Sequence, residues 1–316
     1  MSGLGSLVLT PTEVATVDQQ HKRILQNLMK LPVRSPPALV CFAAGSLPGT
    51  AIIHLKQMSL FSMICRLPTN PINHHARQVL LTWSCNSNSW FCQVRNLLLQ
   101  YKLPHPLYLL DNPPPKNSFR RELKARVTDF WEIKLREEAA FLPSLRYFNC
   151  QYFSLSTPHK LWTSAGNNAY EVAKARVQLL FLSSQYPCAS LTKHWSSENP
   201  SGICSASPCK DNLVVESPEH VLLYCPAYNT TRLNLLSLSL KLKHPVSNTL
   251  MVGYLMGKSE FQLMQVLLDC SSLPQVIEAA QVHGSTIYND LYYIGRTWCF
   301  SIHRERLKRL HCWNFC

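Results

Sequence analysis

Three cysteines and one histidine between residues 204 and 225 constrain the fold more than any other feature of the sequence. They are spaced as Cys-x4-Cys, then ten residues, then His-x4-Cys. Three thiolates and one imidazole are a ligand set for a closed tetrahedral Zn²⁺ site, in which the protein supplies every ligand. We therefore predict a small zinc-organised element at this point of the chain. Its predicted ligands are Cys204, Cys209, His220 and Cys225.

The residues around His220 favour convergence of the last two ligands. Ser217 can cap a short helix that has Pro218 at its first position. On a regular α-helix, residues five apart point about 140° away from each other, which is too far for a shared ion. Pro226 disfavours the α conformation at the residue before it, so we expect Cys225 to leave the helix and approach His220.

The alternative is that these are unpaired cysteines in a thiol-rich protein. The sequence has 13 cysteines in 316 residues, an odd number. Its first residues, MSGLGSLVLTPTE, contain neither the basic region nor the apolar core of a secretory signal. A disulfide framework is therefore not expected. We predict an intracellular protein of the nucleus or cytoplasm, not a secreted one.

The charge balance points to a polyanionic partner. The chain has 31 Lys and Arg against 18 Asp and Glu, a net charge of +13, while 46% hydrophobic residues argue against disorder. Such a surplus favours RNA or single-stranded DNA, although it can also serve only to keep a surface soluble. The longest apolar-leaning stretch, PPALVCFAAGSLPGTAII, contains a Gly and Pro turn that would break a spanning helix, so no membrane segment is expected.

Hydrophobic residues recur at spacings of three and four along most of the chain, which predicts a mainly α fold. Thr10 and Glu13 form a capping box around Pro11, and the apolar stripe of the helix that follows would include Ile24 and Leu28. A long last helix is predicted from about residue 285. Its apolar stripe consists of Ile287, Leu291, Ile294, Trp298 and Ile302.

Two helices carry basic clusters, and three aromatic residues lie near the predicted metal site. The first cluster is on a helix expected from Ser118 to about Glu138, where interspersed acidic residues also allow a paired, solvated surface. The second ends the last helix, where basic residues also complement the helix dipole. Aromatic rings can stack on unpaired bases, although each is more commonly part of a core. The candidate nucleic-acid contacts are Arg120, Arg121, Lys124, Arg126, Trp195, Tyr224, Tyr228, Arg304, Arg306, Lys308 and Arg309.

A proline-rich segment is the best candidate for a domain boundary. It contains three consecutive prolines after Asn112. The predicted division is a helical region 1–111, a linker 112–118, a helical region 119–200, the zinc element 201–230 and a basic helical region 231–316.

The signatures of common enzymes are missing from the sequence. There is no glycine-rich phosphate loop, no Gly-x-Ser-x-Gly and no His-Glu-x-x-His, and the six aspartates are never adjacent. A zinc ion with four protein ligands has no open position for a substrate. We therefore predict a protein that is not an enzyme and has no small-molecule substrate.

Four stretches of sequence, taken in order, carry a resemblance to a known family. SLVLTPTEVATVDQQHKRILQNLMKLPVR, AGSLPGTAIIHLKQMSLFSMICRLP, PEHVLLYCPAY and TWCFSIHRERLKRL together resemble the region downstream of the palm in LINE-type (non-LTR) retrotransposon reverse transcriptases. The resemblance covers about residues 5 to 311. It implies a helical thumb-like bundle and connection, a zinc-knuckle-like element and a basic C-terminal helix, which help to hold element RNA and target DNA. The family's cysteine–histidine motif falls on Cys204, Cys209, His220 and Cys225.

The resemblance also implies what the chain does not do. The palm, with its catalytic aspartates and Tyr-x-Asp-Asp turn, and the endonuclease would precede residue 1, and neither occurs in this sequence. We therefore expect a remnant that binds RNA or single-stranded DNA without polymerase activity. The alternatives are a zinc-stapled structural or protein-interaction module, and a truncated element copy with no selected function.

Overall fold

The structure is a computed structural model of the chain, and its described residues are almost entirely helical. They contain fifteen α-helices and several short 3₁₀ turns. Within this described part no strand forms, and the only β-type pairing is an isolated bridge between Ile203 and Val215. The prediction of a mainly α fold is confirmed. The described residues are 3–82, 89–193, 201–242, 244–257 and 259–310.

The helices vary in length from four residues to 25. In chain order they are α1 (Pro11–Met29), α2 (Pro37–Ala44), α3 (Gly49–Cys65), α4 (Pro71–Thr82), α5 (Trp90–Gln100), α6 (Pro106–Asp111), α7 (Lys116–Ala140), α8 (Lys160–Ala165), α9 (Ala169–Leu182), α10 (Ala189–Thr192), α11 (Asn229–Ser239), α12 (Pro245–Gly257), α13 (Glu260–Leu268), α14 (Pro274–His283) and α15 (Thr286–Arg309).

Backbone contacts group the chain into two compact units. The predicted linker 112–118 does not separate them, because it lies inside unit 1 and α7 already begins at Lys116. Phe119 N donates to Pro115 O at 3.0 Å, which closes the first turn of α7 directly after the prolines. Unit 1 comprises Met1–Leu28, Val40–Glu138 and Ser154–Thr157, and unit 2 comprises Met29–Leu39, Ala139–Phe153 and Pro158–Cys316.

The start of α1 agrees with the sequence, but its predicted apolar stripe does not. The Glu13 carboxylate accepts hydrogen bonds from the backbone N–H and the hydroxyl of Thr10, both at 2.8 Å, as in a capping box. Further along, Ile24 and Leu28 are 59% and 64% exposed, whereas Gln26 is buried. The buried face at the end of α1 therefore differs from the one that the spacing of apolar residues predicted.

The long helix α7 packs its apolar face inside unit 1. Phe119, Leu123 and Val127, one turn apart, are all buried. Further along the same face, Trp131 Nε1 donates a hydrogen bond of 3.0 Å to the hydroxyl of Tyr101, which follows α5. This face fixes α7 in the unit and leaves its other sides to solvent.

Helix α15 is the centre of unit 2, where it packs against α8, α9, α11, α13 and α14. Every residue of its predicted apolar stripe is buried. At Gly295 the backbone of α13 comes so close that an added Cβ would lie 2.2 Å from Leu267 O. Only glycine permits this approach. The prediction of a long last helix with basic residues at its end is therefore confirmed.

The described part of the chain has no single helix that is both long and apolar enough to cross a membrane. Helices α2 and α3 satisfy the requirement only when they are counted together, and they are bent by 64° relative to each other.

Candidate metal centre

The four predicted ligand residues lie together in unit 2. The ligand atoms of Cys204, Cys209, His220 and Cys225 are all within 4.8 Å of one another, and all four side chains are buried. The Sγ atoms of Cys204 and Cys225 are 3.8 Å apart. In a tetrahedral site with metal–sulfur bonds of about 2.3 Å, two sulfur ligands are about 3.8 Å apart. The cluster therefore has the dimensions to hold a metal ion.

A short fold-back of the backbone brings the first two cysteines together. The bridge between Ile203 and Val215 closes it, and Cys204 N donates to Val214 O at 2.8 Å. From the other side, Val214 N donates to Cys209 O at 3.0 Å. Because Val214 bonds to both cysteines through its own backbone, residues 204 and 209 are held on the same side of the turn.

A π-helical turn positions the last two ligands. His220–Tyr224 form this wider turn, in which Cys225 N donates to His220 O at 2.7 Å. The predicted cap is present, since His220 N donates to Ser217 Oγ at 3.1 Å. Cys225 has φ −58° and ψ 117°, outside the α region as predicted for the residue before Pro226. The convergence of residues 220 and 225 thus has two causes, the proline that the sequence indicates and a π turn that it does not.

The thiols of the cluster are electrostatically coupled. The pKa of the Cys204 thiol is lowered, because the Cys225 thiol donates a hydrogen bond to the Cys204 thiolate. The pKa of Cys225 is raised by the same bond, and burial raises that of Cys209, since each further thiolate would be buried beside the first. A divalent cation among them would offset this repulsion and allow all three thiolates to form.

The histidine of the cluster, His220, interacts with the Cys204 thiol, but its buried Nε2 lacks a hydrogen bond of normal geometry among the described residues. A buried polar atom left in this way is uncommon in folded proteins and needs an explanation. A metal ion bound by the imidazole would supply one, so the donor set and its surroundings both fit a bound metal.

A buried ion pair attaches the metal segment, residues 204–225, to α15. The Glu216 carboxylate accepts hydrogen bonds from Arg306 Nε at 3.2 Å and from Arg306 Nη2 at 2.9 Å. It also accepts one from Ala189 N, at the start of α10, at 2.6 Å. Both charged side chains are at least 90% buried. Because the pair is shielded from water, it couples the position of the metal segment to the last turns of α15.

Two further side chains hold the π turn through its carbonyl groups. Arg232 Nη2 donates to Cys225 O at 2.5 Å, and Trp298 Nε1 donates to Leu222 O at 3.2 Å. The sequence did not indicate a role for Arg232, Trp298 or Glu216 at the metal cluster. Of the residues that support the cluster, the sequence indicates burial only for Trp298 and Arg306. Spacings of four along α15 continue its buried stripe from Trp298 through Ile302 to position 306.

The basic cluster at the end of α15 is mostly engaged within the protein. Arg306 is 8% exposed and bonded to Glu216, which contradicts its predicted contact with phosphate. Lys308 is exposed and pairs with Glu305 at 2.7 Å. Arg309 lies over the ring of Tyr228, with 5.6 Å between the guanidinium carbon and the ring centre. Of the four, Arg304 is the one that is exposed without such a contact among the described residues.

The three aromatic residues that were predicted to stack on bases differ in how the structure places them. Tyr228 is 5% exposed, so its ring is part of the core and the prediction of base stacking there is wrong. Tyr224 is 53% exposed, and its pKa is raised by partial burial and by a hydrogen bond with Glu260. Trp195 lies outside the described residues. Only Tyr224 remains accessible near the metal cluster in the described part of the chain.

The basic cluster on α7 is open to solvent. Arg120, Arg121, Lys124 and Arg126 are all exposed. Within the described ranges, none of the four forms an ion pair with a carboxylate. Their charges are therefore available to a partner in solution.

Comparison with protein-family models, curated proteins and solved structures finds no match to the chain. The function has to follow from the chemistry of the residues themselves.

Proposed function

We propose that this protein binds RNA or single-stranded DNA through the exposed basic surface of α7 and is organised by one structural Zn²⁺ ion. The observation that carries the proposal is the buried cluster of three thiols and one imidazole, together with a separate group of uncompensated cations. We further propose that the chain is a remnant related to the post-palm region of non-LTR reverse transcriptases, without polymerase activity of its own.

Zinc is the metal that suits this donor set. Tetrahedral sites with sulfur and nitrogen ligands favour Zn²⁺, and Cys₃His is a common structural combination. With Cys204, Cys209, His220 and Cys225 as ligands, no coordination position is left for a substrate. When bound, the ion supplies a crosslink among four residues of an irregular segment. The role proposed for it is therefore structural.

Nucleic acid suits the charge of α7. The four exposed basic residues between positions 120 and 126 have no carboxylate partners among the described residues, and the chain has a net charge of +13. Each phosphate that they neutralise releases counterions, so binding to a single strand should weaken with salt by a slope of about 0.7 per contact. Four contacts predict a loss of about 50-fold in affinity between 50 and 200 mM salt.

The metal is tested by native mass spectrometry of purified protein. We expect one zinc ion per chain, and none in a Cys225→Ser variant. Replacement by Co²⁺ should give the absorption bands of thiolate coordination in a tetrahedral site. Cys92→Ala, which changes a buried cysteine outside the cluster, is the control and should keep the metal. Protein that contains no metal and takes up none would contradict the proposal.

Nucleic-acid binding is tested by fluorescence anisotropy with a single-stranded oligonucleotide at several salt concentrations. The expected result is binding that weakens steeply with salt. An affinity that does not change between low and physiological salt, or no binding at all, would rule out the proposed function while leaving the zinc site intact.

A second candidate is a zinc-stapled protein-interaction module. The observation in its favour is the exposure of Ile24 and Leu28, one turn apart on α1, at 59% and 64%. Exposed apolar side chains that adjoin each other can belong to a protein-binding surface. In that case the protein would hold zinc but have no affinity for nucleic acid, so the anisotropy experiment separates the two candidates.

A further inference from the structure

Unit 1 contains a cleft between the end of α3 and the first turns of α7. Its volume is about 230 Å³. The apolar part of its lining comes from Met63, Phe119 and Leu123, and the charged part comes from Arg66, Lys116 and Arg120. The metal cluster belongs to unit 2, so the function proposed for that cluster does not explain this cleft.

The charged side chains that line the cleft are all positive, and none has a carboxylate partner in the part of the chain that the structure describes. Arg66 donates from Nη1 to Ser62 O at 2.7 Å and from Nη2 to Pro114 O at 3.2 Å, and both acceptors are neutral carbonyl groups. Lys116 and Arg120 are exposed and form no ion pair within the described ranges. The first turn of α7 has no acidic residue to complement the positive end of its dipole. An anion in the cleft would offset this repulsion.

The cleft is small, and part of its apolar lining is accessible. Met63 is 57% exposed, whereas Phe119 and Leu123 are buried. The volume is about eight times the ~30 Å³ that a water molecule occupies in the liquid. It is below the roughly 300–1,000 Å³ of pockets that enclose a whole small molecule. The cleft is therefore of a size for one flat ring of a longer ligand.

We propose that this cleft is a nucleotide subsite for a single strand, with one base against Met63 and the adjacent phosphate between Lys116 and Arg120. The proposal rests on the proposed function and specifies which part of α7 carries it. A single strand is required because the faces of bases in a duplex are covered by their neighbours, whereas an unpaired base can be turned out onto a protein surface. Guanidinium groups also match phosphate geometry with two parallel hydrogen bonds.

The test compares a thymidine oligonucleotide with an abasic strand of the same length and charge, by fluorescence anisotropy. We expect the wild-type protein to prefer the strand with bases by about fivefold, near the lower end of base stacking on a protein surface. Met63→Ser should abolish this preference without changing the affinity for the abasic strand. Leu81→Ser, which changes an exposed leucine outside the cleft, is the matched control and should keep it.

The phosphate contacts are tested separately, through the salt dependence of binding. Lys116→Gln with Arg120→Gln should lower the slope of affinity against salt by about 0.7, as expected for one phosphate of a single strand. Arg23→Gln, which changes an exposed arginine on α1 outside the lining of the cleft, is the control for charge and should leave the slope unchanged.

Three results would overturn the subsite. If Met63→Ser keeps the base preference and the double variant keeps the wild-type slope, the strand binds elsewhere, although the proposed function stands because wild-type binding remains salt-dependent. If a glutamate-rich peptide displaces the strand and its own binding depends on Met63, the cleft is a site for an acidic protein segment. If the wild-type protein binds neither strand, the proposed function fails first and the subsite fails with it.

Discussion

Residues 120–126 of α7 and residues 304–309 of α15 each include four basic side chains, and the surroundings of the two clusters differ. On α7 the four are exposed and have no ion pair among the described residues. On α15, Arg306 is buried against Glu216, Lys308 pairs with Glu305, and Arg309 lies over Tyr228. The number of basic residues in a sequence therefore does not determine how much charge a partner can reach.

The difference follows from where each cluster lies on its helix. Arg306 occupies the position four residues after the buried Ile302, so it continues the inner face of α15. A guanidinium on that face must find a carboxylate, because an unpaired buried charge is strongly unfavourable. On α7 the inner face is taken by Phe119, Leu123 and Val127, which leaves the basic side chains outside it.

Removal of the metal should have the largest effect on the difference between the two helices. We expect Cys225→Ser to unfold the segment around residues 202–228 and to loosen the end of α15 through the Glu216–Arg306 pair, while α7 is unchanged. Structural zinc contributes an apparent ~10–16 kcal/mol in small zinc-finger peptides, so local order should be lost. Hydrogen exchange of the backbone amides measures this. Increased exchange in α7 as well would show that the two clusters are not independent.

A substitution in the α15 cluster should change the free energy of unfolding far more than one in the α7 cluster. Arg306→Ala tests this. It leaves the Glu216 carboxylate buried without its partner, which should lower the free energy of unfolding by about 3–5 kcal/mol. Lys124→Ala on α7 should change it by no more than about 0.5 kcal/mol, as is usual for an exposed side chain. Urea unfolding gives both values. Arg304→Ala, exposed two residues earlier on α15, is the control, and a large loss there would mean that position on the helix face is not the cause.

Acidification should weaken a second ion pair of α15. Burial would raise the pKa of Glu171, but hydrogen bonds and charges from Lys174 and Arg296 lower it below its usual value. This pair therefore stabilises the protein above the unfolded pKa of about 4.3, and the contribution is lost as the pH falls through the lower folded pKa. Each pKa unit of difference corresponds to about 1.4 kcal/mol.

The measurement is the free energy of unfolding between about pH 6 and pH 3. Arg296→Gln should reduce the acid-dependent loss, whereas Arg121→Gln on α7 should not change it. An equal change in both variants would mean that the effect reflects net charge and not this contact.

The smallest change in the free energy of unfolding is expected for Lys308→Ala. Its exposed pair with Glu305 should contribute at most about 1 kcal/mol and should disappear at high salt. The comparison of interest is with Arg306→Ala, whose effect should persist in 1 M salt because the pair is buried. Thermal unfolding at low and high salt distinguishes them, and a salt-sensitive loss for Arg306→Ala would place that side chain nearer to solvent than the structure does.

Much of the fold could be predicted from periodicity and capping. The capping box at Thr10 and the buried stripe of α15 follow from local spacing alone, since they depend on residues of the same helix. The exposure of Ile24 and Leu28 could not be predicted, because it depends on which neighbours cover α1. The start of α7 at Lys116, two residues before the expected cap, is within the usual uncertainty of helix ends.

The metal cluster could be predicted from residue types and spacing, but not the way in which the backbone assembles it. Pro226 indicates that Cys225 leaves the helix, whereas nothing in the sequence indicates a π turn from His220. Glu216 and Arg232 support the cluster through contacts that the sequence does not reveal. Glu216 pairs with Arg306, 90 residues further along the chain, and the bond of Arg232 to Cys225 O depends on the direction of its side chain. Such contacts are fixed by tertiary packing.

We propose that α7, and not the end of α15, presents the charge that binds nucleic acid. The most direct test is the slope of affinity against salt for a single strand, measured for two variants. Replacing Arg120, Arg121, Lys124 and Arg126 by Gln should lower the slope by about 2.8, whereas Arg304→Gln with Lys308→Gln should lower it by less than about 1.4. A wild-type slope in the α7 variant, with the loss appearing in the α15 variant, would contradict the claim.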